Sequence, residues 1–225
     1  MINYGGLYLP DGEKHLIEWM EKTGQTVAGK PAYQYHKLEA ALKWVKAWRV
    51  AVDVGAHCGL WSMHLAKRFE TVHGFEPVAA HRECWMRNVE GALGAITFPQ
   101  AGQKGPILYP IALGEHDGMI KIHTAADSSG DSWVDGEGDI PMKRLDDFDL
   151  QDVDFIKLDC EGYELFALRG GEEMLKRCHP CVIVEQKPGR AQKFGLAETG
   201  AVDYLQGLGA KLRKAISGDF ILSWD

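Results

Sequence analysis

The sequence has no apolar run approaching the roughly 18–20 residues that cross a bilayer, so no membrane partner is expected. Its opening stretch, Met1 to Lys14, lacks the apolar core of a secretory leader. Five cysteines, an odd number, then fit reduced thiols in a cytoplasm better than a disulfide framework. Basic residues are also scarce: the net charge is −7, and no basic cluster is longer than Lys43–Arg49. Nucleic-acid binders carry a basic footprint, so no nucleic-acid partner is expected either. There is no internal repeat and no plausible linker. With 225 residues, 45% of them apolar, the chain fits one well-buried domain over residues 50–225, carrying a helical extension over 1–49.

A further absence narrows the ligand. Val50-Ala51-Val52-Asp53-Val54 reads as an apolar strand, and Gly55-Ala56-His57-Cys58-Gly59-Leu60-Trp61 as a glycine-bearing turn opening a helix. That order builds nucleotide cradles in parallel α/β proteins. The dinucleotide fingerprint needs glycine at the first, third and sixth positions of its turn. Counted from Gly55, those positions hold Gly55, His57 and Leu60. What survives is Asp-x-Gly-x-x-x-Gly, with no tight pyrophosphate pocket, which suits a ligand without phosphates such as S-adenosylmethionine better than NAD. The cradle is assigned to Asp53, Gly55, Ala56, His57 and Gly59, with Trp61 beside it; at His57 the backbone is expected to matter more than the ring.

Along the rest of the chain, residues 13–22 and 32–49 predict two helices separated by Lys30-Pro31. In the second, Leu38, Leu42, Val45 and Trp48 face inward at helical spacing, while Lys37, Lys43, Lys46 and Arg49 turn outward. After the first strand come a helix (60–69), a strand (71–75), a helix (78–89) and a weak strand (96–99). Met119–His123 reads as a strand, and 125–139, rich in Asp, Ser and Gly, as a solvated loop over a site. Within it, Asp135-Gly136-Glu137-Gly138-Asp139 has a calcium loop's carboxylate spacing, but Ile140 stands where that loop needs glycine. Alternation resumes with a strand (153–159), a helix (163–177), a strand (182–186), a helix near 201–208, and closing strands at 211–217 and 220–224 joined by Gly218-Asp219. Repeated βα units of this kind predict an α/β, mostly parallel sheet with helices on both faces and a C-terminal antiparallel hairpin. Cys178-His179-Pro180-Cys181 has redox spacing, yet it closes a helix and precedes a strand, the reverse of a thioredoxin-like motif.

Two carboxylate groups remain. Glu76, in Phe75-Glu76-Pro77, ends the second strand, where an acid can accept both hydroxyls of a ribose; Pro77 suits the first turn of the next helix. The alternative is an acid complementing the helix dipole. The second group is Lys157, Asp159 and Glu161, with Glu185 ending the neighbouring strand. Lys157 and Asp159 share a face at the carboxyl edge of the sheet, where open α/β sheets place their ligands. A carboxylate raised by like charges can take a proton from a hydroxyl; alternatively the oxygens hold a divalent cation, although no dedicated ligand set is assigned. A plainer role has Asp159 binding the cofactor and Glu161 capping the helix. His64, His73, His81 and His123 are read as structural.

These segments together resemble the FkbM family of S-adenosylmethionine-dependent methyltransferases. The likeness rests on Asp53–Gly59, Phe75-Glu76-Pro77, Ala112-Leu113-Gly114, and above all Leu145-Asp146-Asp147-Phe148 followed by Ile156–Glu164, spanning about residues 50–186. The resemblance implies a class I, Rossmann-like methyltransferase fold with a seven-stranded sheet and S-adenosylhomocysteine as product. It also implies a small-molecule or glycan hydroxyl as acceptor, Ala112 against the adenine, and Asp159 and Glu161 at the transfer centre. His57 departs from the family's usual Asn. Residues before 50 and the 125–139 segment match nothing in the family and are expected to choose the acceptor. Competing readings are a cofactor-binding sensor without catalysis, an NAD(P) oxidoreductase, and a methyltransferase acting on protein or nucleic acid.

Overall fold

The computed structural model describes residues 1–94, 104–124, 129–130 and 132–225. The chain opens with a hairpin, β1 (Ile2–Tyr4) and β2 (Leu7–Leu9), then α1 (His15–Thr23), a second hairpin of β3 (Thr26–Val27) and β4 (Lys30–Pro31), and α2 (Tyr35–Leu42). The first helix stops at Gly24, whose left-handed φ of 60° caps it. The helical extension anticipated over 1–49 therefore also holds two hairpins, and its second helix ends seven residues early. Trp48 is 41% exposed rather than inward. Lys37 is buried instead of solvated, because Asp219 pairs with it.

The central sheet follows: β5 (Val50–Val54), α3 (Ser62–Leu65), β6 (Thr71–Phe75), α4 (Ala79–Leu93) and β7 (Gly105–Tyr109). The helix expected over 60–69 is regular only across Ser62–Leu65. Pro77 stands two residues ahead of α4 rather than inside its first turn. The weak strand at 96–99 lies outside the described residues.

A smaller sheet comes next, built from β8 (Ala112–Leu113), β9 (Gly118–Thr124), β10 (Ser132–Glu137) and β11 (Ile140–Lys143) in the order β10-β9-β11-β8. Much of the anticipated 125–139 loop is thus β10, antiparallel to β9. Its acidic run lies on that strand and the turn beyond, with Asp135 4.0 Å from Lys121. Polarity hid the strand: Ser132–Val134 are half-buried, while Asp135, Gly136 and Glu137 are exposed and interrupt any apolar run.

The chain then returns to the central sheet through β12 (Val153–Leu158), α5 (Glu164–Arg169), α6 (Glu172–Cys178), β13 (Cys181–Glu185), α7 (Gly200–Gly207), β14 (Lys211–Ile216) and β15 (Asp219–Ser223). The single helix expected over 163–177 breaks at Gly170-Gly171. A Cβ at Gly170 would lie 2.0 Å from the Gly114 carbonyl oxygen, so the turn is pressed against the β8 segment. The last hairpin turns on Ser217 (φ 48°) and Gly218 (φ 86°), one residue earlier than expected, and this pair of left-handed residues matches the twist of the strands.

The seven strands run β14-β15-β13-β12-β5-β6-β7; β13 to β7 are parallel, while β15 and β14 are antiparallel. Side chains alternate across this sheet. Val52, Val54, Ile156, Leu158, Val182 and Val184 pack with Leu165, Leu168, Leu175 and Leu205 of α5–α7. Ala51, Phe155 and Ile183 face the other way, onto Leu38, Ala41 and Leu65 of α2 and α3. Leu7, Leu9, Leu16 and Met20 of the N-terminal segment pack on Ala56, Leu60, Met63, Trp85 and Val89. From β5 the chain moves outward to β6 and β7, then crosses back to β12 on the other flank. The crevice between the carboxyl ends of β5 and β12 is therefore the topological switch point, the place where such sheets bind ligands.

Candidate active site

A cavity of about 350 Å³ opens at that switch point. Its floor is the turn after β5. Gly55 has φ +70°, and a Cβ there would lie 2.0 Å from the Asp159 carbonyl oxygen, so only glycine lets the two strand ends approach. His57 takes φ +50°, a conformation that His tolerates better than most residues. Its backbone N–H donates to Glu76 Oε2 (2.8 Å). The other carboxylate oxygen, Oε1, accepts from Val78 N–H (2.8 Å) and meets His81 Nδ1 at 3.2 Å. Burial raises the Glu76 carboxyl, but His81, His57 and the Val78 amide outweigh it and hold the group below its usual range. Glu76 is thus an ionised acceptor at the end of β6.

The His57 ring matters as well as its backbone. Its Nε2 lies 2.9 Å from Ser129 Oγ, and the ring meets that of His81 edge-on at 4.2 Å. Ser129 in turn donates its N–H (2.9 Å) and its hydroxyl to Glu13, whose other oxygen accepts from Leu16 N–H (2.7 Å). Burial, and then the neighbouring His81, drop the His57 imidazole to about 4, so it is neutral at pH 7.

Between β5 and β12 lies a buried ion cluster. Asp53 and Lys157 are register partners on adjacent parallel strands. Lys157 Nζ donates to the Gly55 carbonyl (2.8 Å) and stands 3.4 Å from Asp53 Oδ1 and 3.7 Å from Asp159 Oδ2. Asp53 Oδ2 accepts from Ser62 Oγ (2.6 Å), and Ser62 Oγ accepts from Trp85 Nε1 (2.8 Å), which ties the strand to α3 and α4.

Asp159, Glu161 and Glu185 converge, with one oxygen from each within 4.8 Å of the others. Lys187 lies 2.8 Å from Glu185 and Arg190 pairs with Glu161 (3.0 Å), so Lys157, Lys187 and Arg190 surround the three carboxyl groups. Burial and then the charge of Asp159 push Glu185 up to about 9, against the pull of Lys187. Burial also raises Asp159, but Lys157, Lys187 and a hydrogen bond from Glu185 outweigh it and hold it below the usual carboxylate range. At neutral pH the pair is an ionised Asp159 beside a protonated Glu185.

The cavity wall contains Gly55, Ala56, His57, Trp61, Glu76, Pro77, Ala112, Lys157, Asp159 and Glu161 from the sequence reading. Asp53, Gly59 and Glu185 stand behind it: Asp53 supports Lys157, Gly59 gives way to the Trp85 ring, and Glu185 backs Asp159. The wall also includes Tyr33, Ser129, Lys187 and Arg190, none of which sequence reasoning picked out. Lys187 repeats across the sheet the spacing of Lys157 and Asp159, a charge two residues from an acid at a strand end, and that signal was available. The Leu145–Phe148 motif lies elsewhere. Asp146 accepts from Met174 N–H (2.9 Å) and Glu173 N–H (3.2 Å), bracing the start of α6.

These residues fit S-adenosylmethionine. The volume lies within the roughly 300–1,000 Å³ of small-ligand sites. Phe75, Ile111, Ala112 and Leu113 give an apolar wall near the Glu76 carboxylate. The fold and the site together define a class I methyltransferase.

Residues 53–212 match the methyltransferase FkbM domain, and the chain belongs to that family of methyltransferases. S-adenosylmethionine is the methyl donor that membership implies. No curated protein matches the chain. Among solved structures it is similar to methyltransferase FkbM from Methylobacillus flagellatus KT, with 20% identity and a TM-score of 0.51 over 78% of this chain and 43% of that one. This chain thus spans less than half the length of that protein. It is also similar to precorrin-6y C5,15-methyltransferase from Geobacter metallireducens GS-15 (14% identity, 90% of this chain and 95% of that one, TM-score 0.51). A third likeness is to precorrin 8W decarboxylase from Methanobacterium thermoautotrophicum (20%, 99% and 94%, 0.51). At these identities the likenesses show the fold alone. Among the described residues, no helix is long and apolar enough to cross a membrane.

Proposed function

We propose that this protein methylates a hydroxyl oxygen of a small-molecule acceptor, a sugar, a glycan or a natural product. The observation that carries the proposal is the Asp159 carboxyl on the cavity wall, with an oxygen of Glu185 within 4.8 Å and the Lys157 ammonium at 3.7 Å. S-adenosylmethionine supplies, when bound, a methyl group activated by the sulfonium that carries it. The Gly55–His57 turn, Glu76 and the Ile111–Leu113 wall would hold it.

Asp159 receives the acceptor's proton. A hydroxyl oxygen that gains a methyl group becomes strongly acidic, so a carboxylate held below its usual range still suffices. Glu185, being neutral, adds no charge against the incoming acceptor and donates its hydrogen bond to Asp159. Lys157 fixes Asp159 relative to the Gly55 turn, so donor-side and acceptor-side groups share one rigid frame. Much of the rate then comes from orientation. All five thiols are free, which supports a reducing cytoplasm as the setting.

The test is incubation with S-adenosylmethionine and a panel of sugars and sugar nucleotides, reading S-adenosylhomocysteine release and the mass of each acceptor. Asp159→Asn should keep S-adenosylhomocysteine affinity and lose turnover. Full activity in Asp159→Asn would remove Asp159 from the chemistry. Tight donor binding with no acceptor methylated would favour a sensor.

A further inference from the structure

The match to the FkbM domain covers residues 53–212, and one residue on the cavity wall lies well outside it. Tyr33, between β4 and α2, faces the same cavity as Asp159, Glu161 and Lys187. Its ring is held in place: Trp19 of α1 packs edge-on against it at 4.8 Å, and Trp19 itself stacks on His36 at 6.3 Å. The hydroxyl accepts a hydrogen bond from Gln34 Nε2 (3.0 Å). Its own proton has no acceptor among the described residues.

Burial, and then the charges of Asp159, Glu185, Asp219 and Glu161, keep the phenol protonated far above neutral pH. Tyr33 is therefore a fixed donor with its proton unspent, and Asp159 on the same wall is a fixed acceptor. A phenol whose partner is missing costs binding, whereas one that finds an oxygen gains orientation.

Resting on the methyl-transfer reading above, we infer that Tyr33 donates a hydrogen bond to a second oxygen of the acceptor, next to the hydroxyl whose proton goes to Asp159. The acceptor class is then one with two neighbouring oxygens, a vicinal diol or a hydroxyl beside a carbonyl. The N-terminal segment, through Tyr33, selects that acceptor.

The test uses the full chain with S-adenosylmethionine and, as probes, methyl hexopyranosides and their monodeoxy analogues, scored by S-adenosylhomocysteine release. Tyr33→Phe should raise KM for the methylated probe about tenfold, the worth of one hydrogen bond. It should leave kcat and S-adenosylhomocysteine affinity unchanged. The deoxy analogue lacking the neighbouring oxygen should lose the same factor with the wild type and nothing further with Tyr33→Phe. An unchanged KM in Tyr33→Phe, or weakened S-adenosylhomocysteine binding, overturns the assignment while methyl transfer stands. A wild type that binds S-adenosylhomocysteine but methylates no probe overturns the hydroxyl-acceptor reading and the role of Tyr33 with it.

Discussion

Lys157 and Gly55 are joined by a 2.8 Å hydrogen bond that runs from a buried ammonium on β12 to a carbonyl at the end of β5. The same ammonium is the counter-charge of Asp53 and Asp159, so one side chain holds the donor cradle, a buried acid and the candidate base.

Removing that charge should be costly. Lys157→Met leaves the buried Asp53 without its cation and Asp159 with only the more distant help of Lys187, and breaking a buried pair from one side costs about 3–5 kcal/mol. Denaturant unfolding should show a loss of that order, together with weaker S-adenosylhomocysteine binding. Pairing Lys157→Met with Asp53→Asn should recover part of the stability, because the buried charge then disappears with its partner. If Lys157→Met unfolds at the wild-type midpoint, the ammonium does not hold this crevice together.

Gly55 meets two independent demands, a left-handed φ and a carbonyl in its side-chain space. Gly55→Ala should therefore displace the ends of β5 and β12 and abolish S-adenosylhomocysteine binding. Gly29 has a similar φ of +78° with nothing within 4 Å of a built Cβ, so Gly29→Ala should show the backbone strain alone. Calorimetric titration of both variants separates the two effects. Donor binding retained by Gly55→Ala would mean the turn yields more easily than its contact implies.

How much of this was legible follows from where the signal lay. Four of the five parallel strands, β5, β6, β12 and β13, were readable because they are buried on both faces and come close to continuous apolar runs, as in Val50–Val54, broken only by Asp53. β7 was not read, because it is a half-buried edge strand that opens on Gly105-Pro106. The acids at their ends could be placed because strand ends in such sheets are the ligand edge. β10 escaped because its second half, Asp135-Gly136-Glu137, is exposed and polar. The inward turn of Lys37 escaped because its partner Asp219 is 182 residues away and no local pattern announces that pair. Tyr33 was invisible for the same reason: what matters about it is the opposite wall of the cavity. The ring of His57 was underestimated because Ser129 and Glu13 meet it only in three dimensions.

Glu185 makes stability fall as pH rises. Its folded-state value, about 9, lies above that of an unfolded glutamate, so between roughly pH 4.5 and 9 the native state holds the extra proton. Its contribution is complete below the unfolded value and is lost as pH climbs through the folded one. Glu185→Gln mimics the protonated group, so its denaturant midpoint should decline less than that of the wild type between neutral and alkaline pH. Parallel curves for the two proteins would show that Glu185 is ionised in the native state.

The histidines act on the acid side, with the opposite slope. Burial, first in order of effect, lowers His57, His64 and His73 to about 4. An unfolded histidine takes up its proton near pH 6.5, so across about pH 4–6.5 the unfolded chain binds more protons, and acidification through that window destabilises the native state. His64 isolates the effect. It is buried against the Tyr35 ring (4.8 Å), Arg68 and Lys67 lower it further, and its Nε2 has no hydrogen-bond partner among the described residues. His64→Leu changes packing and titration together, but the packing change is the same at every pH. The stability of His64→Leu relative to wild type should therefore be higher at about pH 5 than at about pH 7, whatever its absolute value. Urea unfolding at the two pH values measures the difference, and an equal offset at both would mean that burial does not shift the titration of His64 between the folded and unfolded chains.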